Sequence, residues 1–286
     1  MYKPNPLKTA LAENRKIFGI WLQLFHPAIA EMVALVGYDV VVIDMEHGPG
    51  DLQETANMMR GISGTGAAAM VRIPSNEPVI LKRLLDQGPD AVMIPMVETA
   101  AEARAAIAAC RFPPRGNRGW AAGVARASRY GLDGNYTAAA ADSLFIACQI
   151  ESVKGVEHIE EISAVDGVDM IFIGRNDLAA DCGHILELDH PEVVAMLRGV
   201  ATVAQKAGKK IGTVPSAGLG WAQLFKDGFD MVLPSGDISL LRDACLAEVR
   251  SFRESFGGSR NHPPQKVVSV PTPPPPKSSA ITGADA

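Results

Sequence analysis

Cysteine is scarce: Cys110, Cys148, Cys182 and Cys245 are the only four in 286 residues, far apart and without a Cys-x-x-Cys pair. That spacing gives neither a disulfide framework nor a structural zinc site, so the four thiols read as small buried hydrophobes. Blocks of Lys or Arg are missing too, and the net charge is −5. Binding to a phosphate backbone needs clustered cations, so no nucleic-acid partner is expected. Long apolar runs are absent: nothing approaches the roughly 20 uncharged residues of a membrane span. The opening "MYKPNPLKTALAENRKIF" carries charges throughout in place of a signal-peptide core, so the expectation is a cytoplasmic protein with no membrane partner.

Several catalytic signatures are also lacking. There is no Gly-x-Gly-x-x-Gly, Walker loop, Gly-x-Ser-x-Gly or His-Glu-x-x-His, which removes support for dinucleotide, nucleoside triphosphate, serine-hydrolase and zinc-protease chemistry.

What is present is rhythm. Eight short apolar runs recur, "IFGIW", "DVVVID", "AAAMVRI", "AVMIP", "LFIACQI", "DMIFIG", "KIGTV" and "DMVLP". Helical periodicity fills the gaps, over 28–36, 52–62, 77–87, 99–110, 155–164, 190–207, 217–226 and 238–254. Continuous apolar strands alternating with amphipathic helices predict a parallel sheet covered by helices. Eight such units in about 250 residues fit an α/β fold of the (β/α)8 TIM-barrel kind, with a doubly wound open sheet as the other arrangement. At 47% hydrophobic residues the chain can bury one large core. The domain is placed at residues 1–257, and the Pro- and Ser-rich stretch 258–286 reads as a flexible tail. A Gly- and Arg-rich insert, residues 111–136, breaks the rhythm and marks a functional or interfacial segment. Its Arg115, Arg118, Arg126 and Arg129 suit either an anion-binding rim or a solvated surface.

In a parallel barrel the working groups follow the strands. "VVIDMEHGPGD" (41–51) delivers Asp44, Glu46 and His47 after the second run, Arg72 ends the third, Gln149 and Glu151 end the fifth, and Asn176 and Asp177 follow the sixth. Glu151 and Asp177 match the one or two carboxylates by which proteins usually hold Mg²⁺. Each acid equally suits a helix N-terminus. Arg72, at the end of an apolar strand, needs an anionic substrate or an internal acid. His47 has a base's chemistry and, singly, also a structural histidine's. A Schiff-base lysine is wanting: Lys16, Lys209 and Lys210 precede strand candidates, Lys82, Lys206 and Lys226 lie in helix candidates, and only Lys154 sits near a strand end.

At this point the chain resembles the HpcH/HpaI class II pyruvate aldolases, barrels of the phosphoenolpyruvate/pyruvate-dependent superfamily. The resemblance spans about residues 18–241 and rests on "DMEHGPGD", "VRIP", "LLDQGPDAVMIPMVET", "FPPRGNRG", "QIESVKGVEHIEEI" and "GVDMIFIGRNDLA" in order. It implies that His47 is the proton acceptor and that Arg72 stabilises the enolate oxygen. Asp86 would be an acid that raises the basicity of the histidine; on residues alone it reads as a helix C-terminal residue. Glu151 and Asp177 would hold a divalent cation, Mg²⁺, Mn²⁺ or Co²⁺. Gln149, Gly174 and Asn176 would contact the pyruvate-like part of the substrate. The family usually has proline where Arg175 stands, which leaves a guanidinium to alter donor preference, bind an acidic acceptor or face solvent.

The implied reaction joins a small 2-oxo acid, pyruvate or hydroxypyruvate, to an aldehyde and reverses that step. Imidazole, with an unperturbed pKa of about 6.5, needs such electrostatic help to form an enolate. Trp21, Leu22 and Gln23 after the first run, and Pro215, Ser216 and Ala217 after the seventh, are candidate walls for the aldehyde. The resemblance also implies a homo-oligomer, a hexamer or trimer of dimers, with the last helix exchanged between subunits. Rival readings are a CoA-ester lyase of the malyl- or citramalyl-CoA type, a lyase of the isocitrate lyase kind, whose cysteine loop is missing, and a non-catalytic acid-binding barrel.

Overall fold

The computed structural model describes residues 4–256, and the tail expected at 258–286 lies outside them. Eight strands, β1 (Ile17–Leu22), β2 (Val40–Asp44), β3 (Ala68–Arg72), β4 (Ala91–Ile94), β5 (Phe145–Ile150), β6 (Met170–Ile173), β7 (Lys210–Thr213) and β8 (Met231–Val232), run parallel in sequence order. β8 pairs with β1, so the sheet closes and the open-sheet alternative falls. Around it lie α1 (Pro6–Ala12), α2 (Pro27–Val36), α3 (Leu52–Ile62), α4 (Pro78–Leu85), α5 (Ala100–Cys110) and α6 (Tyr136–Ser143). The second half adds α7 (Val153–Glu157), α8 (Ile159–Ser163), α9 (Arg175–Asp181), α10 (Pro191–Lys206), α11 (Trp221–Lys226) and α12 (Asp237–Phe256). None of the described helices is long and apolar enough to cross a membrane.

Strand alternation divides the apolar residues into two layers. Val41, Ile43, Val71, Val92, Ile146 and Ile171 pack outward with the helices. Val40, Val42, Met70, Met93, Ala147 and Phe172 fill the barrel. Continuing each inward row by two residues explains where the chemistry sits: Val42 is followed by Asp44, Met70 by Arg72, Ala147 by Gln149 and Phe172 by Gly174. The register sets Asp44 opposite Arg72 across β2 and β3. The inward face thus changes from apolar to polar at the C-terminal ends.

Helix starts follow local chemistry. Asp51 with Glu54, and Thr99 with Glu102, form capping boxes on α3 and α5. Three helices went unread in the sequence: α1, α6 and α9. All are seven or eight residues long, about two turns, too short to show a period. α1 plugs the base of the barrel with Leu7, Ala10 and Leu11, and Asn5 caps it while donating to Asp90 O and Ser143 O. The helix expected over 155–164 is divided at His158 into α7 and α8.

The insert is tied down. Arg118 is buried, its guanidinium 4.5 Å above the Phe112 ring, and it donates to Asp86 (2.8 Å) and the Tyr136 hydroxyl (2.9 Å). Arg126 donates to Gln87 O. These two arginines therefore brace the chain itself and are not groups waiting for an anion.

Candidate active site

A cleft of about 390 Å³ opens at the C-terminal ends of the strands, lined by Trp21, His47, Arg72, Gln149, Gly174, Asn176, Asp177 and Pro215 among others. A second cleft of about 420 Å³ lies at the opposite end, beside Asn5, the segment before β3 and the segment before β4. It gathers none of the groups just named.

Asp44 is the anchor of the first cleft. Its fully buried carboxylate accepts from Arg72 Nε (2.9 Å) and Nη2 (2.7 Å), from Gln23 Nε2 (2.8 Å), and from the backbone N–H groups of Glu46 (3.2 Å) and His47 (3.3 Å). Burial works against its ionisation, but the hydrogen bonds and charge of Arg72 outweigh it and hold the carboxyl below its ordinary value. Asp44 therefore shapes the loop that carries His47, and the solvated alternative does not apply to it.

Arg72 is held on every side. Besides Asp44 it meets Glu46 Oε2 at 3.0 Å, and its guanidinium sits 4.5 Å from the Trp21 ring centroid. The internal ion pair is real, yet only three of five guanidinium N–H groups are engaged with acids. Two remain for a ligand in the cleft. His47 is 56% exposed at the rim, its Nε2 3.9 Å from Glu46 Oε2. Burial raises the Glu46 carboxyl despite Arg72 and His47, with Asp44 and Asp177 pushing the same way.

Glu151 is buried as well. One carboxylate oxygen accepts from Met96 N–H at 2.8 Å, and the other, like Gln149 Oε1, is buried without a partner. Burial pushes the Glu151 carboxyl up to about 7, against the Met96 hydrogen bond and with help from the charges of Glu46 and Asp177. Above these two groups lies Gly174: a Cβ there would stand 2.3 Å from Glu151 Oε2 and 3.0 Å from Gln149 Nε2. Asp177 follows three residues later in the first turn of α9, exposed to the cleft. Two orphaned buried oxygens, a glycine gap and a second acid form an oxygen-rich pocket that fits a hard divalent cation.

Among the described residues, one set of three metal-ligating side chains lies close together elsewhere: His184, His190 and Glu192, with ligand atoms within 4.8 Å. Its imidazoles stack face to face at 3.4 Å, so their in-plane lone pairs do not converge on one point.

Of the other expected residues, Asp86 is the C-cap of α4 and binds Arg118; no hydrogen bond or ion pair joins it to His47 within the described chain. Ser216 is buried and donates to Asp189, while Leu22 packs in the barrel–helix layer, so neither lines the cleft. Phe172 and Leu233 do line it and were not read from the sequence as walls, because apolar residues inside apolar strands carry no distinguishing mark. The Met96 amide was likewise invisible: its role depends on a backbone at φ 48°, which side-chain pattern does not encode.

The HpcH/HpaI aldolase/citrate lyase family model matches residues 17–244. The chain is 38% identical over 249 residues to a hydroxypyruvate/pyruvate aldolase of Chromohalobacter salexigens, covering 87% of this chain and 98% of that one. It is 35% identical over 251 residues to a 5-keto-4-deoxy-D-glucarate aldolase of Klebsiella pneumoniae, covering 88% and 98%. A crystal structure of a family protein from Burkholderia cenocepacia superposes with a TM-score of 0.83 at 34% identity, over 87% of this chain and 99% of that one. Barrel, mouth and matches together define a carbon–carbon lyase of the aldolase class. The chain belongs to the HpcH/HpaI aldolase/citrate lyase family.

Proposed function

We propose that the chain joins a pyruvate-type 2-oxo acid, pyruvate or hydroxypyruvate, to an aldehyde, and cleaves the product, through an enolate stabilised by a divalent cation. The observation that carries this reading is the pair of unpartnered buried oxygens, Glu151 Oε2 and Gln149 Oε1, beneath Gly174 and beside Asp177. The activities of these relatives, a hydroxypyruvate/pyruvate aldolase and a 5-keto-4-deoxy-D-glucarate aldolase, point the same way.

In this reading Glu151 and Asp177 hold the cation, Mg²⁺, Mn²⁺ or Co²⁺, which supplies positive charge to the developing enolate when bound. Gln149 and Asn176 orient the 2-oxo acid, and the glycine at 174 lets the Glu151 and Gln149 side chains lie against the backbone. Arg72 directs its two spare N–H groups at the oxygen where charge develops, already fixed by Asp44 and Trp21 and so needing no reorganisation. His47, at the rim where substrate enters, takes the proton from the hydroxyl of the aldol in cleavage and returns it in addition. Trp21 and Pro215 flank the space left for the aldehyde. Proton exchange between the methyl group of pyruvate and D₂O, followed by NMR, tests the first half of this sequence. Exchange is expected to need added metal and to fall at least about a hundredfold in His47→Ala. No exchange with any of the three cations, or exchange indifferent to both EDTA and His47, sinks the reading.

Asp86 is bound to Arg118 in its own chain, so in this reading it reaches a His47 only across a subunit boundary. Exposed apolar residues along α12, Leu240, Leu241, Val249, Phe252 and Phe256, support an assembly in which that helix packs on a neighbour. Sizing chromatography is expected to give a hexamer, and a monomeric peak would remove Asp86 from the catalytic set.

A further inference from the structure

Arg175 heads the set of largest wholly buried side chains, the solvent-facing possibility being excluded. A guanidinium persists in such a place only by binding several acceptors at once. It donates to Leu188 O (2.7 Å) and Val214 O (3.4 Å) and stands 3.5 Å from Asp189 Oδ1. Asp189 in turn accepts the Ser216 hydroxyl and the Gly218 N–H, the latter at 2.8 Å, and Ser216 Oγ accepts from Leu219 N–H. One side chain therefore ties the start of α9 to the loop before α10 and to the segment after β7.

Although Gly174 and Asn176 flank Arg175 in the chain, the tie shares no hydrogen bond with the groups assigned to the 2-oxo acid. Arg72 is fixed by Asp44, Glu46 and Trp21, and Glu151 by the Met96 amide, with no member shared with the Arg175 network. What Arg175 does hold is Val214 and, through Asp189, Ser216. Val214 and Pro215 form the β7 side of the same cleft. We propose that Arg175 is a positioning residue for the acceptor: by clamping the segment 214–216 it sets the wall against which the aldehyde lies, and so fixes which face of the aldehyde meets the enolate. This rests on the aldol reading above.

Arg175→Pro isolates the side chain well. Position 175 is the first residue of α9, where proline is favoured, and its N–H donates no hydrogen bond among the described residues. The helix start, and Asp177 with it, should survive while the clamp is lost. Asp189→Asn weakens the same clamp from the loop without touching α9. Three quantities are read on the purified oligomer: pyruvate proton exchange in D₂O, the KM for D-glyceraldehyde, a chiral aldehyde whose addition to pyruvate gives two diastereomers, with the ratio of those diastereomers, and the melting temperature. In Arg175→Pro, exchange should stay within about threefold while aldehyde KM rises about tenfold and the diastereomer ratio moves toward unity, because misplacement of one partner by about 1 Å affects only the step that uses it. Asp189→Asn should show the same split at about threefold. Exchange and addition falling together in both variants would place Arg175 with the donor groups and overturn the proposal. So would a lower melting temperature with unaltered KM and diastereomer ratio, which would leave Arg175 a purely structural tie. Absence of exchange in the unaltered enzyme is a different failure, that of the aldol reading itself.

Discussion

Glu151→Gln should lower aldol turnover by at least about a hundredfold, since the cation proposed to sit there would contribute several kcal/mol of charge stabilisation. The substitution changes little else. Glutamine has the same shape, and its amide oxygen can still accept from Met96 N–H, but an amide nitrogen then occupies the position of the unpartnered Oε2. The two forms should also differ in how stability depends on pH. Burial raises the pKa of Glu151 in the folded chain from its ordinary value of 4.5 to about 7, so the folded chain holds this proton more tightly than the unfolded one. The associated stability is fully present below about 4.5 and is lost as pH rises through about 7, a change of about 3 kcal/mol. Metal-free enzyme should therefore melt lower at pH 7.5 than at pH 5, and a divalent cation should restore it. Glu151→Gln should lose most of that slope and most of the response to cation. Equal stabilisation of both forms by Mg²⁺ or Mn²⁺ would place the cation elsewhere.

Asp44→Asn should be the most destabilising single change at the barrel mouth. It removes the charge that faces Arg72 while keeping the volume, and can turn an amide donor toward guanidinium donors. Breaking a buried pair of this kind costs about 3–5 kcal/mol, enough to lower the melting temperature by roughly 6–20 °C in a chain of this size. Turnover should fall about 10²- to 10³-fold as Arg72 loses its orientation. Asp44→Asn combined with Arg72→Met separates the two effects. The double variant should recover part of the stability, because no buried charge is left unpaired, and none of the activity. Recovery of activity would show that Arg72 serves only the ion pair.

The strand–helix repeat is legible because its strands are short and apolar, and because helices such as α3 and α5 announce themselves with capping boxes. Of the polar residues placed after those strands, His47, Arg72, Gln149, Asn176 and Asp177 line one cleft, since strand direction alone sends them to one end. Pairing was another matter. Asp44 and Arg72 are 28 residues apart and their bidentate contact follows from register. Asp86 illustrates the opposite case: its motif was legible, yet its bonded partner, Arg118, comes from an insert without periodic signal.

The residue pattern by itself therefore determined the alternation of eight parallel strands with helices, the end at which its chemistry gathers and the acid, base and guanidinium available there. These follow from periodicities of two and 3.6 residues, which are local properties of the chain. Only closure and packing decided that the sheet is a barrel, that Asp44 is spent on holding Arg72, Gln23 and the His47 loop, that Glu151 keeps one buried oxygen without a partner, and that Arg175 joins three segments beneath the cleft. Burial and partner choice depend on residues remote in sequence, and they set what each side chain is free to do.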